Sequence, residues 1–292
     1  MRREGSSLAK RALGRQLGSF RKRAEVSQNQ AGGVLGVSAQ TIGRLEEGVT
    51  ARVASDLHLN TLCDRYRVGD ADRRVILALA REVRFIAKCG GGWWRPDLDR
   101  DTHDFDPRVV LDHAAILLTA WATLLLPPIL RTSDYSRAVA WTRSPHMPTD
   151  QVEESIDAAA KQQRALDDSN LAVEIIISEA AIREEWGGPG VMAEQRRHLA
   201  EISHLPNVSL RVMPFNGRSR IGALTGPFTL LEFPILPSTR LNEPPLVHIT
   251  EYVGNLYLER SGEVDHYRTA LAELQRTALS ESASRTMLLE TA

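Results

Sequence analysis

The stretch that decides the fold of this chain runs from Ser27 to Gly48, with the sequence SQNQAGGVLGVSAQTIGRLEEG. Ser27 and Ser38 each precede a short apolar pattern, and a serine hydroxyl in that position accepts the free backbone N–H groups that begin a helix. Gly36 lies between the two patterns and readily adopts the positive φ that ends a helix. The stretch therefore predicts two short helices joined by a tight turn, the second from Ala39 to about Glu46.

The second of these helices has one apolar face and one open face. Ile42 and Leu45 are three residues apart and are predicted to face the core, whereas the opposite side faces solvent or a ligand. This is the layout of a helix-turn-helix motif, whose second helix enters the major groove of DNA. We therefore expect the DNA-binding residues to be Gln28, Ser38, Ala39, Gln40, Thr41, Gly43, Arg44 and Arg52.

Different roles are expected within this set. Gln40 and Arg44 are predicted to read bases, because glutamine pairs with adenine and arginine with guanine in the major groove. Ala39 is placed to touch a thymine methyl group, and Gln28, Ser38 and Thr41 are predicted to hold phosphates. A plain helical hairpin within a larger helical protein remains the alternative, because short motifs also match by chance.

The same stretch resembles the Cro/repressor (Xre) class, in which a Gln opens the first helix and Ile-x-x-Leu-Glu-x-Gly closes the second. The matching residues are Gln28, Ile42, Leu45, Glu46 and Gly48. The resemblance implies that Arg21, one helix earlier, forms a structural ion pair with Glu46. This chain has Ala31-Gly32 where the class usually has Leu-Ala, and Gly33 follows. Each interior glycine costs about 1 kcal/mol relative to alanine, so the first helix of the motif is expected to be weakly held.

Three more helices complete the N-terminal region. Apolar residues at helical spacing predict helices over about 8–24, 54–66 and 71–88. The run Gly90-Gly91-Gly92 then breaks the chain sharply. We therefore predict a five-helix DNA-binding domain over residues 1–89, followed by a regulatory and dimerisation domain over residues 90–292.

Basic charge is concentrated at the N-terminus. Residues 1–52 carry ten Lys and Arg against four Asp and Glu, whereas the remaining residues carry 26 basic and 33 acidic side chains. A basic surface is what contact with phosphates requires. Lys10, Arg11 and Arg15 of the first helix are either phosphate ligands or simply solvated. Only the N-terminal domain is expected to contact DNA.

The region after residue 90 mixes two kinds of pattern. Short β-branched runs predict strands at 171–177, 208–213, 228–233, 246–249 and 256–258, with helices between and after them. The expected fold class is thus α + (α+β): an all-α five-helix domain, then a larger mixed domain. The uncharged run Ala114–Leu130 has 17 residues, short of the roughly 20 that span a membrane, and predicts a buried core helix.

Trp93 and Trp94 follow the glycine run directly. One interpretation makes them the lip of a pocket for an effector. The favoured one makes them an anchor that fixes the hinge onto the second domain, because aromatic residues at a junction bury a large apolar area.

Neither catalysis nor a cofactor is expected. No phosphate-binding loop, dinucleotide fingerprint or Gly-x-Ser-x-Gly motif is present, and His198 and His204 lack the His-Glu-x-x-His spacing of a zinc site. The two cysteines have no metal-ligand spacing and are expected to be reduced. No secretion signal is visible. The predicted location is the cytoplasm, with no catalytic residue, no metal and no membrane contact.

The second region is similar to the long antitoxin-like C-terminal domain attached to many Xre regulators of high-GC Gram-positive bacteria. The matching segments are Gly92-Trp93-Trp94, residues 126–138, 177–182, 207–215 and 226–228, and Gly187-Gly188 with Met192 and Gln195. The resemblance implies a transcription regulator, often encoded beside a small partner protein.

We therefore expect a homodimer that binds double-stranded operator DNA and is controlled through its C-terminal domain by a small-molecule effector or a protein. The alternative is an antitoxin-like interaction protein that binds a small partner protein encoded nearby and autoregulates its own promoter. The weakest hypothesis is an enzyme with a DNA-binding appendage.

Overall fold

The computed structural model describes residues 6–50, 54–96, 107–163, 166, 170–217 and 219–291. The chain divides into two compact units. The first unit comprises residues 1–114 and 233–260, and the second comprises residues 115–232 and 261–292. The polypeptide therefore leaves the first unit after Ala114 and returns to it at Phe233.

The helices of the first unit follow the predicted pattern. They are α1 (Leu8–Arg23), α2 (Gln28–Leu35), α3 (Ala39–Glu46), α4 (Asp56–Tyr66), α5 (Asp70–Cys89) and α6 (Pro107–Asp112). Leu13, Leu17, Ile42, Leu59 and Ile76 are all buried in the core that α1 to α5 share. The predicted all-α N-terminal region is confirmed.

Local signals set both ends of the predicted turn. The Ser27 hydroxyl accepts the Gln30 N–H at 3.1 Å and the Gln30 side chain accepts the Ser27 N–H at 2.8 Å, which is a complete capping box at the start of α2. Gly36 ends α2 with a φ of 67°, and the Ser38 hydroxyl accepts the Thr41 N–H at 3.2 Å to begin α3. The turn thus fixes the direction in which α3 leaves α2.

Three strands belong to the first unit. They are β1 (Trp94–Pro96), β6 (Leu246–Glu251) and β7 (Gly254–Leu258), and β7 pairs antiparallel with both of the others. The unit is thus larger than the predicted domain of residues 1–89, because β1 pairs with β7 and side chains of α1 bond to residues between 233 and 259. That residues 1–89 fold as a domain by themselves stays a prediction.

The second unit is built on four strands. They are β2 (Leu117–Ala122), β3 (Ala172–Ser178), β4 (Val208–Met213) and β5 (Phe228–Glu232). β3 runs parallel to β2 and β4, and β5 pairs antiparallel with β2. The helices are α7 (Ser133–Arg143), α8 (Thr149–Gln163), α9 (Glu179–Arg183), α10 (Pro189–Ile202), α11 (Ile221–Thr225), α12 (Ser261–Thr277) and α13 (Glu281–Glu290). The predicted mixed α+β region is confirmed.

The helix predicted within Ala114–Leu130 is wrong. The middle of that run is strand β2, and a short 3₁₀ turn follows at Pro128–Leu130. β2 lies between β3 and β5, and its residues from Leu118 to Ala122 are buried. A strand covered on both faces has no alternation of apolar and polar residues, so its sequence is indistinguishable by periodicity from a buried helix.

None of the helices in the described part of the chain is both long enough and apolar enough to cross a membrane.

Candidate nucleic-acid interface

Helix α3 presents one face to the outside of the first unit. Gln40, Thr41 and Arg44 are exposed, as is Ser38 at the N-cap, and Ala39 is half-buried. Ile42 and Leu45 point into the core. Among the described residues, the Arg44 guanidinium has no hydrogen-bond or ion-pair partner. These exposed side chains can donate and accept hydrogen bonds at the edges of base pairs.

A buried ion pair holds α3 in place. The Arg21 guanidinium donates to both carboxylate oxygens of Glu46, at 2.5 Å and 2.9 Å, and also to the Val26 carbonyl at 2.7 Å. Both side chains are only 10% exposed. The hydrogen bond to Glu46 raises the pKa of Arg21 above the ordinary arginine value. The pair therefore ties the last turn of α3 to α1.

Gln28 takes part in the same cluster. Its side-chain amide donates to the Glu46 carboxylate at 3.0 Å, and the residue is half-buried. In this structure Gln28 therefore ties α2 to α3. Arg52, the last residue of the predicted set, lies outside the described residues.

Gly43 is covered by a distant part of the chain. A Cβ at residue 43 would lie 2.7 Å from the Ser238 hydroxyl oxygen and 2.8 Å from the Ser238 Cβ. The expectation that Gly43 faces solvent or a ligand is therefore wrong. It failed because Ser238 is almost 200 residues further along the chain, and the absence of a side chain at Gly43 lets that segment approach α3 closely.

The segment that covers Gly43 is a small hairpin, which we define as residues 235–242 and name the α3-flanking hairpin. Ile235 and Asn242 form a β-bridge, and the Leu236 N–H donates to the Leu241 carbonyl at 2.9 Å. Glu47, directly after α3, accepts the backbone N–H groups of Ser238 and Thr239, the second at 3.0 Å. Glu47 is buried. Its carboxylate therefore fastens the tip of the hairpin to the end of α3.

The base of the hairpin is fastened to α1. Glu243 accepts hydrogen bonds from Arg11 and Arg15, both at 2.7 Å, and Glu259 pairs with Arg11 at 3.1 Å. The two guanidinium groups also lie over the Phe233 ring. Arg11 is 3% exposed and Glu243 is 2% exposed at the side chain. These two arginines are therefore neither phosphate ligands nor solvated.

Two family models match the chain. One, described as a helix-turn-helix domain, matches residues 12–76. The other, described as a domain of unknown function, DUF5753, matches residues 105–290, which is more than half of the chain. The chain belongs to the DUF5753 family. No curated protein and no solved structure matches it.

The helix-turn-helix match covers most of α1, the α2–turn–α3 stretch, α4 and the first part of α5. It supports a DNA-binding regulator rather than an enzyme. The DUF5753 match spans both units, because it includes the residues of the α3-flanking hairpin as well as the four strands of the second unit.

Several contacts around α1 and α3 could not be expected from the sequence. Their residues are Glu47, Ser238, Thr239 and Glu243. The hairpin residues belong to a stretch rich in proline between two strands, which indicates a loop and nothing about where that loop packs. Only the fold places them beside α1 and α3.

The contact between Gly43 and Ser238 can be tested by substituting each residue singly and both together. Gly43→Ala is expected to destabilise the full chain by about 1–3 kcal/mol, because the new methyl group overlaps the Ser238 side chain. Ser238→Gly removes both overlapping atoms, so the double variant is expected to regain most of that loss. Chemical unfolding of the two single variants and the double variant measures the coupling.

Additive effects of the two substitutions would contradict the docking of the hairpin on α3. Gly33→Ala is the matched control, because a Cβ at residue 33 of α2 meets nothing within 4 Å. Since alanine is the better helix former, that variant is expected to be neutral or more stable by up to about 1 kcal/mol.

Trp93 and Trp94 lie at the edge strand of the first unit. The Trp93 carbonyl accepts the Tyr257 N–H at 2.7 Å, and the Arg260 guanidinium lies 5.0 Å from the centre of the Trp93 ring. Trp94 pairs with Leu256 across β1 and β7 and is 44% exposed. Both residues thus hold β1 on β7, and a role in effector binding stays a prediction.

Glu179 of the second unit has structural partners. Glu179 is buried, pairs with Arg183 at 2.7 Å and accepts the Phe215 N–H at 2.8 Å. Burial lowers the pKa of His198 below its ordinary value. Within the described ranges, no group of three or more His, Cys, Asp or Glu residues is placed to hold a metal ion.

Proposed function

We propose that this chain is a transcription regulator of the Xre type, which reads operator DNA by inserting α3 into the major groove. The observation that carries the proposal is the exposed Arg44, unpartnered among the described residues, beside Gln40 on a helix that Arg21 and Glu46 hold rigidly. An arginine on the exposed face of a helix that enters the major groove can pair bidentately with the guanine edge.

The remaining roles are part of the same proposal. Ser38 and Thr41, both exposed, would hold phosphates at the start of α3, and Ala39 would lie against a thymine methyl group. Gln28 is engaged with Glu46 in the free protein, and a phosphate contact would use the second N–H of its amide. Gly43 is no longer proposed as a DNA-binding residue, because Ser238 covers it.

The active form in this proposal is a homodimer. A single α3 covers one half-site, so two linked copies make the second contact intramolecular and raise the avidity roughly 100-fold. The C-terminal region is proposed to carry the dimer contact and to transmit the state of an effector. Sedimentation of the full chain measures the stoichiometry, and a monomer that binds its operator tightly would contradict this part.

An antitoxin-like protein is the second candidate, and the resemblance of the C-terminal region is its support. In that case a small protein encoded nearby occupies the C-terminal region, and DNA binding serves only to autoregulate one promoter. Both candidates place the chain in the cytoplasm, where its DNA is.

Two DNA-binding experiments test the proposal. Selection from a pool of random duplexes with the full chain is expected to recover one preferred sequence, and recovery of no preference would contradict the proposed reading of bases. Genome-wide footprinting then separates the candidates. Sites at many promoters support a regulator, whereas occupancy of its own promoter alone supports the antitoxin-like candidate.

A further inference from the structure

The α3-flanking hairpin, which Glu47 fastens to the end of α3, carries an exposed arginine, Arg240. We propose that Arg240, in this hairpin, binds a phosphate of the same duplex whose bases α3 reads. The hairpin would then be a second DNA-contacting element, contributed by a segment far from the helix-turn-helix in sequence. This inference rests on the proposed function.

The first support is position. Ser238 lies against Gly43 in the middle of α3, and Glu47 at the end of α3 holds the N–H groups of Ser238 and Thr239. Arg240 is the next residue along the hairpin. A duplex that receives α3 in its major groove brings a sugar–phosphate backbone along each side of that helix. A residue next to this point of attachment is therefore expected to lie near a phosphate.

The second support is the state of the charged side chains. Arg11 and Arg15 are engaged with Glu243, so they are not available to phosphates. Arg240 is exposed, and no hydrogen bond or ion pair to its side chain occurs among the described residues. Its neighbour Ser238 is exposed and carries a hydroxyl group. Arginine and serine side chains both donate hydrogen bonds to phosphate oxygens in protein–DNA complexes.

The third support is that the hairpin buries Glu47 and donates hydrogen bonds to its carboxylate. A free carboxylate at the end of α3 would repel a phosphate. Here Glu47 is 9% exposed and its two oxygens accept hairpin N–H groups. The hairpin thus screens an acidic residue of the proposed interface and adds a cation in its place.

A hairpin that obstructs the duplex would be the opposite arrangement. The exposure of α3 argues against it, because the hairpin covers Gly43 and Glu47 while Gln40, Thr41 and Arg44 remain open. The base-reading side chains of α3 are therefore accessible with the hairpin in place.

The test is Arg240→Ala in the full chain, with two probes of equal length: a duplex recovered by selection with the parent protein and a duplex of random sequence. The affinity for both is expected to fall about tenfold, the loss of one charge-assisted hydrogen bond. The slope of log affinity against log salt is expected to become shallower by about one.

Arg67→Ala is the matched control. Arg67 is also exposed and has a φ of 56°, close to the 59° of Arg240, so both variants remove one charge from a left-handed position. The control is expected to leave both affinities unchanged. Equal losses of affinity in the two variants would show that the change in net charge alone explains the result, and this would overturn the proposal.

Three further outcomes are decisive. Unchanged binding by Arg240→Ala overturns the proposal, and tighter binding shows that the hairpin obstructs the duplex. Arg44→Ala, measured in parallel, isolates the proposed function: a loss of sequence preference there, with no effect of Arg240→Ala, leaves the base-reading proposal standing and removes only the hairpin contact. A parent protein that binds neither duplex removes both proposals.

Discussion

Glu46→Ala is expected to destabilise the full chain by about 3–5 kcal/mol, because it leaves the buried Arg21 guanidinium without its carboxylate. Arg21 would keep one acceptor, the Val26 carbonyl, and Gln28 would lose its partner as well. An uncompensated charge in a site that is 10% exposed has little water to replace the lost bonds. Chemical unfolding of the parent and the variant measures the difference.

Asp64→Ala is the control for this prediction. Asp64 pairs with Arg73 at 2.5 Å, but its side chain is 68% exposed. An exposed ion pair contributes about 0–1 kcal/mol, so the control is expected to change the free energy of unfolding very little. Equal, small effects of Glu46→Ala and Asp64→Ala would show that the Arg21–Glu46 pair does not hold α3 in place.

Glu243→Ala is the second large effect, expected to cost about 3–5 kcal/mol. It removes the carboxylate that Arg11 and Arg15 share at the base of the hairpin. Burial already lowers the pKa of Arg15, and Glu243 opposes that shift. Without Glu243 the charged form of Arg15 loses its stabilisation, and the base of the α3-flanking hairpin loses its fastening to α1.

Hydrogen exchange gives this variant a local readout. The amides of Ser238 and Thr239 donate to Glu47, and they are expected to exchange faster in Glu243→Ala than in the parent. Glu251→Ala, which removes an exposed carboxylate of β6 in the same unit, is the control and is expected to leave both amides protected. Unchanged exchange in Glu243→Ala would contradict the fastening of the hairpin by Glu243.

The α2–turn–α3 stretch could be predicted from the sequence because its determinants are local. Ser27 and Ser38 each bond to an N–H three residues away, and Gly36 needs only its own positive φ. Every partner in these interactions lies within one helical turn. Local interactions of this kind can be predicted from the sequence without knowledge of the rest of the fold.

The hairpin beside α3 could not be predicted for the opposite reason. Arg11 and Glu243 are 232 residues apart, and Ser238 and Glu47 are 191 apart. On the sequence, Arg11 and Arg15 are two cations on a helix, equally suited to phosphates or to solvent. Their partners are decided by the return of the chain at Phe233, which no local pattern encodes.

The error at β2 has a related origin. Five of the six residues of β2 (Leu117–Ala122) are apolar, and Leu118 to Ala122 are buried in a strand that lies between β3 and β5. The apolar sequence indicates that the segment is buried, but it does not distinguish a buried strand from a buried helix. β3, with three consecutive isoleucines, carried the β-branched signal that β2 lacks.

The proposed site therefore combines two sources of information. α3 is positioned by Arg21 and Glu46, a pair that the resemblance to the Xre class implied. Its flank is formed by the hairpin, which only the structure reveals. If both contribute to DNA binding, base preference belongs to Arg44 and Gln40, whereas Arg240 strengthens binding to any sequence.

The most direct test of the base-reading role is the ratio of affinities for the selected duplex and a random duplex, measured for the parent and for Arg44→Ala. One bidentate arginine–guanine pair is worth about 1–3 kcal/mol of discrimination. The ratio is therefore expected to fall by about fivefold to 150-fold in Arg44→Ala, with Arg67→Ala unchanged. A ratio that Arg44→Ala leaves intact, or a loss of affinity that is equal for both duplexes, would contradict the reading of bases by α3.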